Sequence, residues 1–69
     1  MKLQINGADR DFPPPLSLQG LLERLGMKAD RVAVELNQNI VPRDRWADTN
    51  LNEGDSLEIV HFVGGGVSR

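Results

Sequence analysis

Ser17-Leu18-Gln19-Gly20-Leu21-Leu22-Glu23-Arg24-Leu25-Gly26 is the stretch on which the fold turns. Leu18, Leu21, Leu22 and Leu25 fall at i, i+3, i+4 and i+7, one apolar stripe along a helix, while Gln19, Glu23 and Arg24 lie off it. Ser17 suits the N-cap, because its hydroxyl can accept from a first-turn N–H that has no helical partner. Gly26 supplies the stop, since glycine enters the left-handed conformation that closes a helix without a Cβ clash. This is the chain's one strong helix signal.

The segments on either side read as strands. Upstream, Met1, Leu3 and Ile5 alternate with Lys2, Gln4 and Asn6, the period of a strand with one buried face. Asn6-Gly7 tolerates positive φ and suits a tight hairpin turn, so a second short strand returns over Asp9 to Phe12. Pro13, Pro14 and Pro15 cannot donate ladder hydrogen bonds and end it, leaving a stiff connector to Ser17. Downstream, Arg31 to Leu36 alternates again, Asn37-Gln38-Asn39 makes a turn, and Ile40-Val41 is a short apolar pair closed by Pro42. Arg43 to Asp48 fits an irregular or 3₁₀ turn, Glu53-Gly54-Asp55 a tight turn, and Ser56 to Val63 the final strand.

The order is therefore β, β, α, β, short β, β, with no repeat and no domain linker. A sheet of four to five strands curled around one helix closes such a core, an α+β two-layer solution. Sixty-nine residues make one domain, here residues 1–63, followed by a tail over residues 64–69. A chain this short buries only roughly 60% of its unfolded surface, so it encloses nothing large. It has no cysteine, which removes disulfides, thiolate metal sites and cysteine nucleophiles. Eight basic and ten acidic residues are interspersed for a net charge of −2, so there is no cationic stripe for a nucleic acid. No apolar run nears the roughly 18 residues of a membrane span, and no export signal opens the chain. The expected location is the cytoplasm.

Gly64-Gly65-Gly66 follows the last strand directly. A phosphate-binding loop is excluded, because its glycines must lie between a strand and a helix, and no helix follows. Two readings stay open: a frayed terminus, or a thread without Cβ atoms that passes through a narrow channel and delivers a carboxylate into another protein's active site. A carboxylate is a poor acyl donor and must first be activated, for instance as an acyl-adenylate. The chain has no nucleotide loop, metal cluster or paired nucleophile and base, so that chemistry would belong to a partner.

Ile40-Val41-Pro42-Arg43-Asp44-Arg45-Trp46-Ala47, Leu51, Gly54-Asp55-Ser56-Leu57-Glu58-Ile59-Val60 and the Val63-Gly64-Gly65-Gly66 end together resemble the ThiS family of sulfur carriers in thiamin biosynthesis. The Ile-Val-Pro-Arg-x-x-Trp segment is the more specific half, because a Gly-Gly end is shared with ubiquitin and with molybdopterin-synthase small subunits. The resemblance implies a ubiquitin-like β-grasp fold and a protein cosubstrate with no catalysis of its own. It further implies that a ThiF-type adenylating enzyme uses ATP and Mg to activate the terminal glycine, and that a sulfur donor enzyme then converts the adenylate to a thiocarboxylate. Thiazole synthase would consume the sulfur. On this resemblance Gly66 carries the reactive carboxyl, and Gly64 and Gly65 enter the partner's active site. The sequence departs from the family pattern by continuing through Val67-Ser68-Arg69, which ties the Gly66 carboxyl into a peptide bond. A tail-trimming protease, a peculiarity of the gene's end, and a carrier that has lost conjugation are the three accounts of that extension. Carriers of the same fold serving molybdopterin or cysteine synthesis, and a non-conjugated ubiquitin-like binding module, are the alternatives.

The last strand should put Leu57, Ile59, His61 and Val63 on one face and Glu58, Val60 and Phe62 on the other. Leu57 and Ile59 complete the core, which leaves Val60 and Phe62 outside as a docking patch for partners, unless a loop covers them. His61, the only histidine, has no metal-ligand company in sequence and reads as a half-buried strand residue. Trp46 should pack at the core's edge with its N–H on a backbone acceptor. Arg43 and Arg45 read as solvated loop residues, and Glu53 and Asp55 as turn residues too few to hold calcium.

Overall fold

The computed structural model describes residues 1–62. Five strands, β1 (Lys2–Ile5), β2 (Ala8–Asp11), β3 (Val32–Leu36), β4 (Asn39–Ile40) and β5 (Ser56–His61), form one sheet in the order β2-β1-β5-β3-β4. β1 and β5 run parallel and every other neighbouring pair is antiparallel, so the first and last strands lie side by side at the centre. A parallel pair cannot be joined by a hairpin, and the crossover here carries the helix α1 (Leu18–Arg24). This is the mixed, curled sheet on one main helix that defines the α+β reading.

Helix α1 is fixed at both ends by the residues that signalled it. The Ser17 hydroxyl accepts from the Gly20 N–H at 3.0 Å. At the other end Gly26, at φ 73°, donates to the Glu23 carbonyl at 3.1 Å, and Met27 donates to the Leu22 carbonyl at 3.0 Å. These two bonds make a Schellman closure, which requires the left-handed residue that glycine supplies. Leu18, Leu21 and Leu22 are buried, while Leu25 is half-buried against the core.

The core lies between α1 and the inner face of the sheet. Leu3 and Ile5 of β1, Leu57 and Ile59 of β5, and Val32 and Val34 of β3 point inward, and among the described residues no polar or charged one is buried with them. Leu16, Trp46 and Leu51 close its edges from the connecting segments. Main-chain bonds lace those segments down: Leu18 N–H donates to the Thr49 carbonyl at 2.8 Å, and Leu51 N–H to the Leu16 carbonyl at 2.9 Å. Among the described residues no helix is long and apolar enough to cross a membrane.

Several boundaries differ from the sequence reading, among them those of the first and last strands, which are shorter, at Lys2–Ile5 and Ser56–His61. The second strand runs over Ala8–Asp11, because Ile5 pairs with Ala8 across the two-residue turn Asn6-Gly7. All four of its residues are exposed, so no burial pattern marked its start. Arg31 belongs to a 3₁₀ turn, Ala29–Arg31, ahead of β3, and β4 pairs Asn39 and Ile40 with Leu36 and Glu35 in place of Ile40-Val41. His61 is exposed, not half-buried. Its cross-strand partner is Val32, the first residue of β3, so His61 stands at the end of the ladder, where β3 gives way to the exposed Ala29–Arg31 turn.

Candidate functional site

β5 sits in the middle of the sheet and leads toward the glycine tail. Alternation sends Leu57 and Ile59 into the core and Glu58 and Val60 to the outer face. Val60 lies opposite Ala33, and Glu58 lies opposite Glu35, which in turn pairs with Ile40 of β4. Val60 and Phe62 are each 56% exposed and Ile40 is 75% exposed, so no described loop covers this face. The Phe62 N–H donates to the Arg31 carbonyl at 2.8 Å and holds the point from which the tail departs. Beside it a shallow groove of about 380 Å³ is lined by Ala33, Ile40, Val41, Pro42 and Phe62 among others.

The structure therefore brings Val60 and Phe62 onto one exposed face at the tail's exit, and adds Ala33 and Ile40 to the same apolar surface. Sequence reasoning missed those two. Ala33 is small and sits in a strand read only for its buried side, and Ile40's outward direction depends on its pairing with Glu35 across a turn. That turn holds Asn37 and Gln38 at positive φ, 51° and 73°, and the register follows from it. Gly64, Gly65, Gly66 and the Val67-Ser68-Arg69 extension lie outside the described residues, as does Val63.

The remaining candidates have structural work. Trp46 is 2% exposed and donates from Nε1 to the Val41 carbonyl at 2.8 Å, which ties the 3₁₀ turn Arg43–Asp48 to the segment after β4. It closes the core's edge as a buried member of the core. Arg43 and Arg45 are exposed. Glu53 accepts the Lys2 N–H at 2.9 Å and ties its turn to the start of β1, while Asp55 accepts the Asn52 N–H at 2.8 Å, closing the turn, and the Asn37 side-chain amide at 3.0 Å. Among the described residues no group of His, Asp or Glu could hold a metal ion.

Comparison with known proteins accounts for this arrangement. The sequence profile of the ThiS family matches residues 3–66, taking in the three glycines and stopping before Val67. A thiazole synthase of Paramagnetospirillum magneticum is 48% identical over 66 residues, which cover 96% of this chain and 20% of that protein. The chain thus spans about a fifth of that relative's length. The sulfur carrier protein ThiS of Bacillus subtilis is 38% identical over 65 residues, 93% of this chain and 98% of that one. The crystal structure of a thiamine biosynthesis protein, ThiS, from Geobacter metallireducens superimposes with a TM-score of 0.82 at 33% identity, covering 96% of this chain and all of the other. With the match running through almost the whole β-grasp domain to its glycine end, the chain belongs to the ThiS family.

Proposed function

We propose that this chain is a sulfur carrier of thiamin biosynthesis, a protein cosubstrate whose reactive group is the carboxyl of Gly66. The observation that carries the reading is the family match ending at Gly66, a few residues beyond a central strand whose outer face is open and, at its tail end, apolar. In this reading the Gly66 carboxylate attacks the α-phosphate of ATP held with Mg by a ThiF-type partner, forming the acyl-adenylate and releasing pyrophosphate. A sulfur nucleophile from a donor enzyme then displaces AMP, and the thiocarboxylate that results hands its sulfur to thiazole synthase. Glycine is the residue for this task because its backbone fits a channel that any Cβ would block.

The carrier's own part is positioning. Val60, Phe62, Ala33 and Ile40 offer an apolar surface at the tail's base, so a partner that covers them draws the three glycines toward its active site. A relative named thiazole synthase that contains a segment similar to this chain within a fifth of its length supports that enzyme as a partner. The carrier would work in the cytoplasm with its ATP-using partner and bind no cofactor of its own. Because Val67-Ser68-Arg69 leaves the Gly66 carboxyl in a peptide bond, a protease must remove those residues first.

The test is chemical. The protein ending at Gly66 is incubated with ATP, Mg, the activating enzyme and a sulfur source, and its intact mass is followed. Replacement of one oxygen by sulfur is expected. An unchanged mass, with a partner system that modifies another carrier under the same conditions, would overturn the proposal.

A further inference from the structure

Asn6-Gly7 forms the two-residue turn between β1 and β2, with both residues at positive φ, 51° and 85°. Of the five asparagines in the sequence it alone precedes a glycine. Its side chain reaches across to the tail-bearing strand: Oδ1 accepts the Ile59 N–H at 2.7 Å and Nδ2 donates to the Ile59 carbonyl at 3.2 Å. Its own N–H donates to the Leu57 carbonyl at 2.8 Å. β1 and β5 pair directly only at Gln4 with Ser56 and Ile5 with Leu57, so the amide extends a short parallel ladder by two bonds, toward the tail.

We propose that Asn6 is a site of spontaneous deamidation, held in check by this clasp and released when the first hairpin opens from β5. In the reaction the Gly7 backbone nitrogen attacks Cγ of Asn6. A bond forms between that nitrogen and Cγ, the Cγ–Nδ2 bond breaks, and ammonia leaves carrying the proton lost from Gly7. Water then opens the cyclic imide on either side, giving aspartate or isoaspartate at position 6. Gly7 favours the attack because it has no Cβ to hinder the nitrogen. Cyclisation requires the amide to leave Ile59, so the folded state suppresses it by the worth of two hydrogen bonds. The product cannot rebuild the clasp: an ionised carboxylate has no donor for the Ile59 carbonyl and sets oxygen against oxygen there. Because the ammonia is lost the modification is irreversible, and it acts on the strand that positions the tail.

The experiment uses the unmodified full-length protein. Samples are held at mildly alkaline pH, native in one arm and unfolded in urea in the other, and peptide mass mapping follows each asparagine. Asn6 is expected to convert fastest in urea, and roughly thirtyfold more slowly in the native sample. Equal rates in both arms, or faster conversion at Asn37, Asn39, Asn50 or Asn52 in urea, would overturn the proposal. A second arm compares Asn6→Asp with wild type across pH. The introduced carboxyl donates to the Ile59 carbonyl only when protonated, so folding raises its pKa. Its contribution is intact below the unfolded value of about 3.9 and is lost as pH rises through the folded value. The variant should thus approach wild-type stability in acid and fall below it at neutral pH, and a gap independent of pH would also count against the clasp.

Discussion

Replacing Trp46 with Phe keeps an aromatic ring in the core but removes the Nε1–H that the Val41 carbonyl accepts. That carbonyl is left without its partner, so a loss of about 1–3 kcal/mol is expected, read as a lower urea midpoint with an unchanged slope. The sequence revealed the need for such an acceptor, because a buried indole N–H must be paired, but Val41 could be named only once the turn after β4 was seen. Asn6 was less legible. Its identity as a turn residue followed from Asn-Gly, whereas its clasp on Ile59 spans 53 residues of sequence and leaves no local signal. Phe62 belongs to the opposite class, an exposed aromatic that the proposed function places on the docking surface. Phe62→Ala should shift folding stability by no more than about 0.5 kcal/mol. It should also raise the carrier concentration needed for half-maximal adenylation, with the maximal rate little changed. A variant as readily adenylated as wild type would remove Phe62 from the docking surface.

At the scale of elements, α1 was the most legible part of the fold because three independent signals agreed: a stripe, a cap and a stop. The strands were readable where one face is buried, as in β1, β3 and β5. Where no residue is buried, as in β2, the whole strand slipped by one, because turn geometry alone sets it, while the half-buried strands only lost residues at their ends. Outer faces were harder still, since their composition becomes meaningful only in register. Glu35 and Glu58 carry no signal separately, yet the antiparallel β3·β5 pairing sets them directly opposite each other on the exposed face. Like charges in that relation repel, so Glu58→Gln should stabilise the fold by roughly 0.2–1 kcal/mol at low ionic strength. The gain should shrink as salt is added and screens the pair, which urea midpoints measured at two salt concentrations would check.

At the scale of the whole molecule, the element order could be read from the sequence, but the placing of the first and last strands together at the sheet's centre could not. Parallel pairing of β1 with β5 depends on the crossover through α1 and on contacts more than 50 residues apart, which local periodicity does not encode. The consequence for function is that the strand leading to the glycine tail is flanked by β1 at its start and by β3 along its length to His61, so its exit end is held by β3. The central claim is that this scaffold presents the carboxyl of Gly66 for activation. Fragment mass spectrometry of the full-length protein and of the form ending at Gly66, after both meet ATP, the activating enzyme and a sulfur source, tests it most directly. Sulfur confined to the C-terminal fragment of the shortened form, at Gly66, is the predicted result. Sulfur on a protein still joined through Val67, or at any other residue, would contradict it.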